Sequence, residues 1–342
     1  MRLIKTITTG VAAVAMMSAA PVFAASKTLD EVKERGILQC VVNPGLTGFA
    51  APDDKGVWQG FDIDLCRAIA VAIFNDPKKT AFKPGTGKTR FTILRSGEGD
   101  VITRNSTWTF IRDVDLGFDF KGVNYYDGQG FMVKKELGVD SAKELDGATV
   151  CVQTGSTTEL NLADYFRSNN MTFQPIITED AAESRQNFEK GACDVYTTDA
   201  SQLAAQRSAM QNPAEFKILP EIISKEPLGP VVRHGDNQWG DVVRWTLNVM
   251  IIAEEKGLTS ANVGSMMGSS SDPEVKRLLG VEGEYGARLG LSNDWAMNVI
   301  KQVGNYAESY DRNIGPNTAI GLTRGVNAAW NQGGILYSPP FR

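Results

Sequence analysis

Apolar positions in this chain recur with two different spacings. Short unbroken runs, at 37–42, at 148–153 and in Asp100-Val101-Ile102, read as buried strands, whereas Phe61, Leu65, Ile69 and Ile73 fall on one face of a helix that opens after Gly60. Residues 26–36 read as a short capped helix closed by Gly36, and the Gly, Pro and Asp of 45–60 read as a loop. A helix over 91–98 leads into the strand at 100–102. This alternation predicts an α/β fold, with parallel-rich sheets flanked by helices.

The same grammar then repeats. A helical turn at 141–146, the strand at 148–153, the loop 153–159 and a helix over 160–169 form a second unit, in which Thr157 or Thr158 could cap the helix or its free amides could receive an anion. Phe188 to Asp199 repeats the helix, glycine and Asp-Val strand pattern of 91–103. Extended segments at about 128–135 and 221–233 are expected to serve as paired crossovers. They divide the chain into a discontinuous first lobe, 26–130 with 234–342, and a second lobe, 136–222. Beyond 238, Trp239, Val242, Val243, Leu247, Met250 and Ile251, and later Trp295, Val299, Ile300 and Val303, mark amphipathic helices that pack as core.

Composition adds a compartment. Residues 1–25 carry Arg2 and Lys5, an apolar run over 7–20 and Val22-Phe23-Ala24, the pattern of a secretory signal peptide, and no later apolar stretch is long enough to span a membrane. The expected product is soluble and exported. The nearest cysteine to the cleavage site is Cys40, which argues against a lipid-anchored N-terminus. Loss of Arg2 and Lys5 takes the formal charge from −5 to −7, against nucleic acid or an anionic membrane as partner. In an oxidising compartment Cys40, Cys66, Cys151 and Cys193 read as disulfides, with three connectivities open; if each pair falls in its own lobe, Cys40 joins Cys66 and Cys151 joins Cys193. Four buried free thiols are the alternative. With a single histidine, no Cys/His metal site is expected.

Candidate chemistry concentrates in Asn105-Ser106-Thr107-Trp108-Thr109-Phe110-Ile111-Arg112-Asp113. A hydroxyl at the end of a strand and a guanidinium in the next helical turn would together form a carboxylate clamp at the carboxyl end of a strand, where open α/β sheets bind ligands. The alternative is a surface ion pair of Arg112 with Asp113 or Asp115. Lys83-Pro84-Gly85-Thr86-Gly87-Lys88-Thr89 ends like a phosphate-binding loop, but Phe82 stands where its first glycine belongs, so a polar turn is expected. His234, the only histidine, has no nucleophile motif near it, and Asp62 and Asp64 read as capping, solvent-facing acids.

Five blocks give the chain a family likeness: 60–68 (GFDIDLCRA), 122–131 (GVNYYDGQGF), 150–159 (VCVQTGSTTE), 194–199 (DVYTTD) and 291–295 (LSNDW). Together they resemble the periplasmic substrate-binding proteins of polar amino-acid ABC transporters, most closely the general L-amino-acid-binding type. The resemblance implies a two-lobed type II periplasmic binding protein fold with two crossover strands as hinge. It implies that Thr107 and Arg112, with Gly155, Ser156 and Thr157, hold the ligand α-carboxylate, and that Asp199, with a backbone carbonyl at Asn105, holds the α-ammonium. Asn43, Phe49 and Trp108 are assigned to the side-chain pocket. The segment Gly97-Glu98-Gly99-Asp100 departs from the family pattern, with a glycine where an apolar or β-branched residue would be expected.

The physics of a zwitterion agrees, since such a site needs a cation with donors on one side and an anion on the other. The expected partners are an L-amino acid and inner-membrane ABC permease subunits; no cofactor and no catalysis are expected, and the protein should act as a monomer. The rival from another class is an enzyme on the same scaffold, such as a dehydratase of a cyclic carboxylate, with an acid at Asp199 facing the substrate.

Overall fold

The computed structural model describes residues 26–342. The expected signal peptide, 1–25, lies outside the described residues.

Two five-stranded sheets organise two lobes. In the first the order is Thr80–Pro84, Leu38–Val42, Val101–Ile102, Val231–Arg233 and Phe118–Phe120; in the second it is Gln174–Thr178, Thr149–Gln153, Val195–Asp199, Gln129–Lys134 and Phe216–Ile218. Each sheet has three parallel strands, and its fourth strand runs antiparallel to both neighbours. The second sheet is buried on both faces. Phe131, Val133, Val150, Val152 and Val195 meet Leu162 and Phe166 on one side, while Met132, Cys151 and Tyr196 meet Phe188 and Leu203 on the other. Alternate residues of one strand point to opposite faces, so an uninterrupted apolar run satisfies both layers.

The fourth strands correct the expected crossovers. Segment 128–135 is mostly Gln129–Lys134 of the second sheet, and 221–233 includes Val231–Arg233 of the first. Their buried residues need ladder partners on both edges, which only a sheet supplies. The strands that pair between the lobes are shorter: Tyr125–Asp127 lies antiparallel to Glu226–Leu228. Asn327 completes this pair from outside, its side chain accepting from Tyr126 N at 2.7 Å and donating to Tyr126 O at 3.0 Å. Tyr306 donates to Asn124 O at 2.6 Å, so the chain's last third is tied to the crossover.

Other expectations shift by local chemistry. The helix expected at 160–169 starts earlier, as Thr157–Ser168, because Ser156 is its cap and accepts from Glu159 N. The helix expected at 91–98 is Arg90–Ser96, closed by Gly97 at φ 83°, where a residue with a Cβ would be strained. Asp62 and Asp64 are not solvent-facing, since both are buried in the helix Phe61–Phe74. Asp64 accepts from Ser309, Arg312 and Asn313 at 2.6–3.0 Å, because the helix Tyr306–Asn313 packs over it. Both lobe-wise disulfides, Cys40–Cys66 and Cys151–Cys193, are formed.

Candidate functional site

The first lobe contributes a pinned loop. After Val101–Ile102 the chain is extended, and Thr107 bridges Leu228 while Trp108 N donates to Pro227 O at 2.8 Å, which fastens this loop to the returning crossover. Arg112 follows in a π-helical turn, Ile111–Asp115, that brings its guanidinium back over the loop. It donates to Thr107 O at 2.8 Å and lies 5.3 Å from the Phe91 ring centroid. Arg104, just past the strand end, and Arg90, at the start of Arg90–Ser96, reach the same wall.

The second lobe faces it with a helix start and an acid. Ser156, Thr157 and Thr158 open the helix Thr157–Ser168, whose first amides have no intrahelical acceptor. Asp199 ends the buried strand Val195–Asp199, and its Oδ1 has no hydrogen-bond partner. These groups, with Asn105, Thr107, Gln153, Thr198 and Gln202, line a small cavity.

The lobes meet around this cavity. Asn105 Nδ2 donates to Gln202 Oε1 at 2.8 Å, and at the rim Lys88 and Thr86 reach Glu179 at 3.3 and 3.2 Å. Gly87, in the turn that mimicked a phosphate loop, approaches so closely that a Cβ there would lie 2.6 Å from Thr154 O. Below the cavity Glu226 is fully engaged. It accepts from Thr107 at 2.6 Å, Thr157 at 2.8 Å, Asn161 at 2.7 Å and Ser224 at 2.6 Å, so one carboxylate of the crossover links side chains of both lobes.

Burial sets the electrostatics. It pushes Arg104 and Arg112 down to about 10, and Asp62 and Glu226 respectively oppose that shift; both arginines stay charged at neutral pH. Arg90 is lowered by burial and then by its like-charged neighbours Arg104 and Arg112. Asp199 is raised well above the carboxylate range by burial, then by Asp127 and Glu226, while Arg112 and Arg90 pull it back. An unpaired buried acid of this kind favours a cationic partner.

Of the residues assigned from sequence, Asn105, Thr107, Arg112, Ser156, Thr157 and Asp199 share this cavity. Gly155 stays at the rim, where its N–H donates to Glu159. Asn43 sits behind Asn105, donating to its Oδ1 at 3.1 Å. Phe49 is core, edge-on to Phe61 and Tyr125, and Trp108 lies outside, stacked on Phe120 with its indole N–H donated to Asp113. None of the last three lines the cavity. Sequence reasoning missed Arg90, Arg104, Gln153, Gln202 and Glu226. Arg104 carried a signal, being a charged residue immediately past a buried strand's carboxyl end.

Residues 38–256 match the family of bacterial extracellular solute-binding proteins, family 3. The glutamate/glutamine/aspartate/asparagine-binding protein BztA of Rhodobacter capsulatus is 61% identical over 93% of this chain and 94% of its own. The general L-amino acid-binding periplasmic protein AapJ of Rhizobium johnstonii is 56% identical over the same shares. Among solved structures, a periplasmic binding protein from Brucella ovis with glutathione bound superposes with a TM-score of 0.91 at 54% identity, over 93% of this chain and 100% of that one. An ancestral arginine-binding protein bound to arginine gives 0.57 at 30% identity, over 66% and 95%. A two-lobed fold with one cavity between its lobes, matched along nearly its whole length by such relatives, places this chain in the bacterial extracellular solute-binding proteins, family 3.

Proposed function

We propose that this protein captures L-amino acids in the periplasm and delivers them to an ABC importer of the inner membrane, without chemical turnover. The observation that carries the reading is one buried cavity lined by Arg112 from the first lobe and Asp199 from the second. The α-carboxylate would lie on Arg112 and the first amides of Thr157–Ser168, and the α-ammonium on Asp199. The hydroxyl protons of Thr107 and Thr157 already point to Glu226, so the guanidinium and the amides carry the anion. Because the charged groups come from different lobes, a ligand binds the closed arrangement better than the open one and shifts the population toward it. The paired strands Tyr125–Asp127 and Glu226–Leu228 would be the hinge, with a first lobe on their outer flanks in sequence and a second lobe between them. Residues 1–25 would direct export. The names of BztA and AapJ, both amino-acid-binding proteins, support the ligand class.

Calorimetry of the Arg112→Ala and Asp199→Asn variants against a panel of L-amino acids tests this. Each variant should weaken binding about 100-fold or more, the scale of losing one hydrogen-bonded charge partner in a buried site. Affinities unchanged in both would remove the zwitterion clamp.

A further inference from the structure

The zwitterion clamp leaves two guanidinium groups of the cavity wall unused. Arg90 and Arg104 are 4% and 2% exposed, and the Nε of each lacks a hydrogen-bond partner. Arg104 donates Nη1 to Thr86 O at 3.1 Å and has Asp62 as its counter-charge. Asp62 is itself raised by burial to about 7, so it compensates Arg104 only in part at neutral pH. Arg90 lies 4.9 Å from the centroid of its neighbour Phe91, and Arg104 and Arg112 are cations of the same sign nearby. Glu226 offsets Arg112, and Arg90 shares the carboxylate of Asp199 with Arg104 and Arg112. Three buried cations that share one carboxylate repel one another, and a planar fork is matched by a carboxylate that accepts two parallel N–H bonds.

We propose that Arg90 and Arg104 form a second anion subsite, which receives the side-chain carboxylate of an acidic L-amino acid whose α-groups lie on Arg112 and Asp199. The subsite rests on the amino-acid reading above and narrows it: acidic side chains bind more tightly than their neutral amides. An amide offers one uncharged carbonyl to two forks, and its NH₂ faces groups that only donate.

Calorimetry with L-glutamate and L-glutamine on the wild-type chain and on Arg90→Met, Arg104→Met and Arg90→Lys tests the proposal. The wild type should favour glutamate by about tenfold or more, and Arg90→Met should cut that ratio by about tenfold, with Arg90→Lys intermediate because the charge stays and the fork is lost. Arg90→Met should also raise the melting temperature of the ligand-free protein, since it replaces one of three crowded buried cations by an apolar chain of similar length. Equal wild-type affinities, or a glutamate-to-glutamine ratio unchanged in both methionine variants, would overturn the subsite while leaving the zwitterion clamp intact. A wild type that binds neither ligand nor any other amino acid would instead overturn the amino-acid reading and the subsite with it. If Arg90→Met does not fold, the Arg104→Met and Arg90→Lys ratios decide alone.

Discussion

The third strand of each sheet ends at the cavity with an opposite charge. In the first lobe Val101–Ile102 runs into Arg104, joined by Arg90 and Arg112; in the second, Val195–Asp199 ends on an acid beside a helix start. The strand order is the same, yet the electrostatics are complementary. The ionised side chains that each half turns to the cavity carry one sign, positive in the first lobe and negative in the second. The lobes also differ in bulk. The first has a large core around the helices Phe61–Phe74 and Asn237–Glu255, whereas the second divides smaller clusters between the faces of one sheet. Charge complementarity therefore sits on lobes with cores of unequal size.

Removing each disulfide in turn gives the strongest test of that inequality. The closed segments, with separations of 26 residues in the first lobe and 42 in the second, imply similar entropic contributions of about 3–4 kcal/mol. With the smaller core, the second lobe of a Cys151→Ala/Cys193→Ala variant should unfold in a separate, earlier transition in denaturant, while Cys40→Ala/Cys66→Ala should keep a single shifted one. Identical single transitions in both would mean that the lobes unfold as one unit.

A smaller effect separates two acids of the first lobe. Asp62 is raised by burial to about 7, so between about pH 4 and 7 the native chain keeps a proton that the unfolded chain releases, and stability falls as pH rises through that window. Asp62→Asn removes this loss. Its melting temperature should gain on the wild type by several degrees between pH 4 and 8, whereas Asp64→Asn, at a position held by Arg312, should lose stability at pH 8. A pH-independent difference for Asp62→Asn would mean that Asp62 is ionised beside Arg104 throughout.

The rim should matter least. The Lys88–Glu179 pair joins the lobes at 3.3 Å, but both side chains are about half exposed. Glu179→Ala should weaken amino-acid binding by only about twofold, as expected for a solvent-screened pair. A loss above tenfold would shift control of closure from the buried charges to the rim.

The α/β alternation, the repeated unit and the Thr107–Arg112 end of the cavity were legible in the chain because they follow short-range rules. Strand runs, cap residues and a Thr-to-Arg spacing of five residues are local patterns. What was hidden depends on elements that meet only in three dimensions. Arg90 follows a polar turn and looks like a surface residue until that turn folds against Thr154 of the other lobe. Glu226 lies in an unremarkable extended stretch, and nothing local shows that four donors converge on it. Phe49 and Trp108 misled because aromatic residues near a binding loop serve core and surface as readily as a pocket. Asp64 was read as exposed because the helix that covers it lies more than two hundred residues further along the chain, and Asp62 because Arg104 and Asn124, which neighbour it, lie about forty to sixty residues on.

A two-stranded ribbon between lobes would ordinarily leave an outer edge whose unpaired backbone groups invite a strand from another molecule. Here Asn327 occupies both groups of Tyr126 with a single amide, so the edge is closed where the chain must bend. Under the proposed hinge reading the ribbon stays pliable without becoming a template for aggregation, and the segment responsible lies beyond residues 38–256, which match the family.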